Sequence, residues 1–198
     1  MTAKVDRGRA VGAVRELLSA YGLDPDAAQL AETPGRVADT FATFFAGVGV
    51  DPTSVLGDPL PVGEATGEVI VMRDMKLRSV CEHHLLPFHG TASIAYLPRN
   101  FVVGLSALPR LVDAVAAKPQ LQERLGEEIA AALETGIDAR GVLVVIEASH
   151  GCVVDRNLAQ RDARTVTLTS RGELRDPQRR LEALTLMGRD AAASEESR

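Results

Sequence analysis

Residues Ser79–Gly90 read SVCEHHLLPFHG, and this one window holds one of the chain's two cysteines and three of its four histidines. The remaining cysteine and histidine also fall together, in EASHGC at Glu147–Cys152, as His150 and Cys152. Every thiol and imidazole the chain owns therefore lies in two short windows far apart in sequence. A fold that joins the windows would make a ligand cluster, so the pattern asks for a topology that brings residue 81 to residue 152.

The rest of the chain sets the bounds for that topology. It has 198 residues and 45% hydrophobic content, enough for one domain with a real core. With no tryptophan, two tyrosines and five phenylalanines, that core must be built mainly from Val, Leu, Ile and Ala. A formal net charge of −5 argues against nucleic acid or an acidic membrane as a general partner, leaving room only for a local basic pocket. No apolar run approaches the length of a membrane span. The N-terminus shows no signal-peptide pattern, so reduced thiols and a cytoplasmic location are expected.

Outward from the first window, the periodicities predict an α+β plan. Val11, Val14, Leu17 and Leu18 recur at helical spacing between Val5 and Tyr21, with Gly22 as a stop. A second helical stretch is expected after Asp24-Pro25. A further helix should start at Pro34, where a missing N–H costs little, with Val37, Phe41, Phe44 and Phe45 as its stripe. Residues 50–66 carry proline and glycine without a period and read as a loop. Residues 1–66 are thus expected to form an N-terminal helical segment and loop, residues 67–187 the core domain, and residues 188–198 a polar, disordered tail.

Within the main domain GEVIVMRD, MKLRSV, GTASIAYLP and FVVGLS read as short strands joined by turns. Two helices follow, one with Leu108, Leu111, Val112 and Val115 on a face, the other with Leu121, Leu125, Ile129 and Leu133. GVLVVIEAS and RTVTLTS return to strand as a closing hairpin pair, and QRRLEALTLM closes as a helix.

Cys81 and His84 stand in a C-x-x-H arrangement, which brings a thiolate and an imidazole to one point in a turn. With Cys152 they would make a Cys2His zinc set, with Zn–S near ~2.3 Å and Zn–N near ~2.0 Å and a fourth position left for water. Two other readings stand beside it. Buried cysteines are common and paired histidines often only satisfy local contacts. A closed structural zinc with His83, Glu82 or His150 as fourth ligand would use the same windows. In the open reading His83 and His150 are spare imidazoles, suited to proton transfer near neutral pH, and His89 is structural.

Taken together, SVCEHHLLPFHG, VVGLS at 102–106, LQERL at 121–125, SHGC at 149–152 with Arg156 four residues beyond, and TPGR at 33–36 closely resemble the GTP cyclohydrolase I family. The resemblance runs in order from Glu32 to Met187. It implies the tunnelling fold (T-fold), with an antiparallel sheet and two helices on one face. It also implies a toroidal homodecamer with active sites between subunits, and one Zn2+ in each site held by Cys81, His84 and Cys152. The zinc would activate water against carbon 8 of the guanine of GTP while His150 donates a proton to nitrogen 7, and His83 would be a second proton-transfer group. Formate would leave, and ribose rearrangement would give 7,8-dihydroneopterin triphosphate.

By the same resemblance Glu123 receives the guanine edge with Gln122 beside it, Ser106 contacts ribose, and Arg36, Arg110 and Arg156 bind the triphosphate. Without the family, Glu123 would read as a favourable charge in a first helical turn and each arginine as a surface charge. The chain departs from the family at three positions: Ala107 where lysine is usual after GLS, Asn157 where glycine is usual after Arg156, and Ala163 where serine is usual before the Thr-x-Thr strand. Three readings follow: a GTP cyclohydrolase I, a diverged relative that acts on another purine nucleotide or stops at a ring-opened intermediate, and a non-catalytic zinc-stabilised binding protein.

Overall fold

The computed structural model describes residues 5–62 and 68–188. The expected domain boundary at residue 67, and all but the first residue of the expected tail, lie outside these residues.

The N-terminal part is a helix pair. Helix α1 (Arg7–Ala20) starts where the Asp6 carboxylate accepts from Arg9 N at 3.0 Å, and α2 (Thr33–Phe44) carries Pro34 in its first turn. The helix expected after Asp24-Pro25 is instead a series of turns, in which the Asp24 carboxylate accepts from Asp26 N at 3.0 Å. Aspartate competing for nearby backbone N–H groups favours turns over a continuing helix. A short strand β1 (Leu60–Pro61) lies in the segment expected to be loop, and its partner lies beyond the main hairpin.

The centre of the molecule is one long hairpin. Strand β2 (Ile70–Cys81) fuses the two strands expected over GEVIVMRD and MKLRSV. The fusion is possible because register shifts between Met72 and Met75, with Asp74 at φ 60°. A bulge stands where a turn between two strands is expected. Strand β3 (Pro87–Leu97) returns antiparallel and begins earlier than expected, taking in Pro87 and Phe88, since proline is tolerated as the first residue of a strand. Only Phe101–Val102 of FVVGLS is strand, β4, and it pairs with β1.

Helix α3 (Ala107–Ala116), the two-residue strand β5 (Pro119–Gln120) and helix α4 (Gln122–Gly136) follow. Strand β6 (Gly141–His150), the short helix α5 (Gly151–Val154), strand β7 (Thr165–Gly172) and helix α6 (Pro177–Leu186) complete the chain. The main sheet has the order β5-β2-β3-β6-β7, antiparallel except that β5 runs parallel to the end of β2.

Alternation along β3 and β6 divides the apolar residues between the faces. Ala92, Ile94, Tyr96, Val142, Val144 and Ile146 pack under α3 and α4. Ala95, Leu97, Leu143 and Val145 pack on the other side with Leu174, Ala183 and Met187. The predicted helix stripes are core except at Leu121, which precedes α4 in extended conformation and is half-buried: Leu108, Leu111, Val112, Leu125, Ile129 and Leu133 are all 0% exposed, and each buried side chain of this kind is worth about 1.5–3 kcal/mol. Gly126 lets α4 sit close to the sheet, since a Cβ there would stand 2.8 Å from Thr169 Oγ1. The first turn of α4 is thereby held against the ends of β6 and β7.

Candidate active site

The two ligand windows meet because β3 pairs with β6. Phe88 is registered with His150 and His89 with Ser149, so the end of β6 lies beside the start of β3. At the end of β2 the chain reverses in a tight turn: Leu85 N donates to Cys81 O at 2.8 Å and Cys81 N to Leu86 O at 2.9 Å. Leu85 takes the left-handed conformation at φ 54°, a strain held at the functional turn. On the other side α5 begins directly after β6, and buried Gly151 is obligatory there, since a Cβ would lie 2.8 Å from Pro87 O. That close approach lets the following residue, Cys152, reach the Cys81 turn.

The donor atoms of Cys81, His84 and Cys152 lie within 4.8 Å of one another. Cys81 Sγ is 3.8 Å from His84 Nδ1, while Arg156 Nη1 stands 3.3 Å from His84 Nε2. A tetrahedral ion with thiolate and imidazole ligands needs such donors roughly 3.3–3.8 Å apart, so the three side chains fit zinc after small rotamer adjustments. The thiols are free, Cys81 buried and Cys152 half-buried. Burial and the neighbouring Cys81 push the Cys152 thiol above its usual range. Two neighbouring sulfurs facing an imidazole are a donor set suited to a cation that would hold both as thiolates.

His150 ends β6 two residues before Cys152 and is the most constrained imidazole. Its ring stacks on Phe88 at 4.5 Å between centroids and 15° between planes. Its Nε2 is 2.7 Å from Gln122 Oε1. Burial pushes its pKa below the usual histidine value, and the nearby Glu123 carboxylate pulls back the other way. Gln122 and Glu123 open α4 and diverge, Gln122 being 2% exposed and Glu123 facing solvent. The second spare imidazole, His83, is exposed, with its Nε2 4.0 Å from Glu82 Oε1 and its ring edge-on to His84 at 6.2 Å.

Not all the expected residues gather here. Arg156 joins the cluster through His84. Ser106 and Arg110 form their own exposed pair, with Arg110 Nη1 donating to Ser106 Oγ at 3.0 Å and the guanidinium also reaching Val55 O at 3.4 Å. They mark the first turn of α3, whereas Gln120, just past its other end, pairs with Cys81. A ten-residue helix is about 15 Å long. Arg36 lies on α2 and pairs with Glu32. Two of the three departures have a local setting: Ala107 is 1% exposed within the core, and the Asn157 carboxamide accepts from Ala159 N at 3.1 Å in a turn. Nothing in the structure explains Ala163.

Two residues beside the cluster, Arg124 and Gln120, escaped the sequence reading, and Glu82 entered it only as a possible metal ligand. Arg124 pairs with Glu82 and donates to Gln120 Oε1 at 3.1 Å, while Glu82 N donates to Gln120 O at 3.1 Å. This network ties the Cys81 turn to α4. Only the adjacency of Arg124 to Glu123 could have pointed to it, since Glu82 and Gln120 are remote in sequence. A cavity of about 380 Å³, with Lys76, His89, Glu147 and Arg164 in its lining, lies on the face to which His89 and Ser149 turn, opposite to Phe88 and His150.

Comparison with known proteins agrees with this geometry. The family model for GTP cyclohydrolase I matches residues 10–188. GTP cyclohydrolase 1 of Leifsonia xyli subsp. xyli is 51% identical over 187 residues, covering 94% of this chain and 98% of that one. The Streptomyces griseus subsp. griseus protein of that name is 45% identical over 184 residues, covering 92% of this chain and 90% of its own. The one from Rhodopirellula baltica is 45% identical over 190 residues, covering 96% and 82%. The crystal structure of the apo archaeosine synthase QueF-Like aligns at a TM-score of 0.44 and 15% identity over 52% of this chain. With a family match over nearly the whole chain and an antiparallel sheet carrying two helices on one face, the protein belongs to the GTP cyclohydrolase I family and has its tunnelling fold.

Proposed function

We propose that the chain is a zinc-dependent GTP cyclohydrolase I that opens the imidazole ring of the guanine of GTP, releases formate and forms 7,8-dihydroneopterin triphosphate. The observation that carries this reading is the convergence of Cys81 and His84, from the turn that ends β2, with Cys152 of α5, which begins directly after the shielded imidazole of His150. Zinc, when held by those three side chains, supplies Lewis acidity and lowers the pKa of a bound water toward about 7.

The chain's own residues divide the remaining work. Exposed Glu123 at the mouth of α4 offers two carboxylate oxygens to the N–H groups of a guanine edge. His150 hands a proton to nitrogen 7, and burial, by disfavouring its charged form, makes it a readier donor. His83, exposed at the rim, serves a second proton transfer. Arg156 is placed to meet phosphate near the cluster, and Ser106, Arg110 and Arg36 meet ribose and phosphate from elsewhere, guanidinium forks being suited to phosphate oxygens.

Ser106 and Arg110 stand at the other end of α3 from the Cys81 turn, which argues against one chain closing the site around a nucleotide. We take the site to be completed by a second copy, in a homodecamer. Residues 67–187 would be the catalytic domain. The segment 1–66 would serve as an assembly element that also plugs Leu56, 3% exposed, into the main core. No helix among the described residues is long and apolar enough to cross a membrane, and a pair of reduced thiols suits the cytoplasm.

The diverged-relative reading is favoured by one observation, the missing cation at Ala107. Incubating zinc-loaded protein with GTP while following formate and pterin fluorescence separates the readings. Both products support the proposal. Formate alone indicates a reaction halted after ring opening, and neither product with GTP but turnover of another guanine nucleotide indicates a changed substrate.

A further inference from the structure

We infer that Gln122 positions His150 instead of contacting the nucleotide, and that it fixes the imidazole as the Nε2–H tautomer, so that the ring exchanges its proton with substrate through Nδ1. This inference rests on the reading of His150 as a proton-transfer group. It changes the expected role of Gln122 and assigns each ring nitrogen a job.

The amide of Gln122 has one possible orientation. Its Nε2 lies 3.0 Å from Ile146 O, 3.0 Å from Thr165 O and 3.1 Å from Thr167 Oγ1. Two of these three partners are backbone carbonyls, which can only accept. Turning the amide over would set its oxygen against both, so the NH2 group faces the sheet and Oε1 faces His150. That oxygen is 2.7 Å from His150 Nε2 and can only accept, so Nε2 must carry a hydrogen. Rotating the ring by half a turn would place a carbon there, and even attractive C–H···O contacts keep about 3.3–3.6 Å. The stack on Phe88, 4.5 Å and 15°, holds the ring plane.

The other ring nitrogen is left for chemistry. Among the described residues Nδ1 has no hydrogen-bond partner, and no buried side-chain nitrogen or oxygen lacks one, so in half-buried His150 the Nδ1 atom must reach the open side. Neutral, it accepts at Nδ1; charged, it donates from Nδ1. Gln122 has meanwhile spent both ends of its amide inside the protein and is 2% exposed. It has no side-chain group left for a purine. The adjacent Gln122 and Glu123 therefore act in opposite directions, one into the sheet to hold the imidazole, the other outward.

The test is the ring 15N spectrum of His150 in the zinc-loaded full-length protein labelled at histidine, assigned by its loss in His150→Gln. The expected result is an Nε2–H, unprotonated-Nδ1 pattern in the neutral form; an Nδ1–H pattern overturns the inference. This readout needs no turnover, so it stands apart from any failure of the protein to act on GTP. In Gln122→Met, which keeps length and removes the acceptor, the tautomers should mix and kcat should drop roughly 10²-fold. KM for GTP and zinc content should hold. A rise in KM with tautomer and kcat unchanged would make Gln122 a substrate contact and overturn the assignment. If Gln122→Met fails to fold, the wild-type spectrum alone still decides.

Discussion

The two halves of the candidate site are built in different ways. The half containing Cys81, His84, Cys152, His150 and Gln122 comes together inside one chain, because β3 pairs with β6 and α4 starts over their ends. Ser106, Arg110 and Arg36 are exposed, sit on α2 or at the far end of α3, and pair with Val55, Glu32 or each other. Chemistry that depends on ångström placement of ligands is thus fixed by the sheet. The residues proposed for charge recognition, which tolerates looser geometry, lie on exposed surfaces apart from it, Arg156 excepted.

The largest effect should come from removing the thiols. A Cys81→Ala, Cys152→Ala double variant leaves one ligand of three, and metal analysis should find no stoichiometric zinc and no measurable turnover. Retention of one zinc per chain would break the inner half of the comparison. Next comes His150→Ala, which should keep zinc and assembly but lose about 10²–10⁴-fold in turnover. If it loses zinc instead, His150 is a ligand and the centre is a closed structural one.

Arg110→Ala addresses the outer half. A lost charge-assisted contact of about 1.5–3 kcal/mol should raise KM for GTP roughly 10–100-fold, with zinc content unchanged. The smallest effect is expected on the helix between the halves. Asp113 lies in the last turn of α3, where a negative charge opposes the helix dipole, and burial pushes its carboxyl pKa up. A raised folded-state pKa means the native state holds the proton more tightly than the unfolded one, so the penalty grows as pH rises through the carboxylate range. Asp113→Asn should raise thermal stability at neutral pH by about 0.5 kcal/mol or less, lose that advantage in acid, and leave zinc and KM alone.

Much of this arrangement is legible in the sequence. The stripes Leu108–Val115 and Leu125–Leu133 are the buried helix faces because a 3.6-residue period has one physical solution against a sheet. The two Cys/His windows pointed to one cluster because few other arrangements explain the pattern. What escaped was non-local. The bulge at Met72–Met75 depends on Asp74 adopting φ 60° and donating its N–H to Ser93 Oγ at 3.2 Å on the neighbouring strand. The β1–β4 pair joins two-residue strands too short for any periodicity. Gln122 read as a neighbour of Glu123, and its true partners, Ile146, Thr165 and Thr167, are set only by the packing of α4 on the sheet.

The central claim, that a chain holding the metal half needs another copy's phosphate half, is tested most directly by subunit mixing. Cys81→Ala, Cys152→Ala chains and Arg36→Ala, Arg110→Ala chains are unfolded together, refolded with zinc and assayed for formate release at limiting GTP, with mixed assemblies confirmed by native mass spectrometry. The account predicts activity well above the sum of the two variants assayed alone, because some sites then combine an intact metal half with an intact phosphate half. Mixed assemblies no more active than that sum would contradict it.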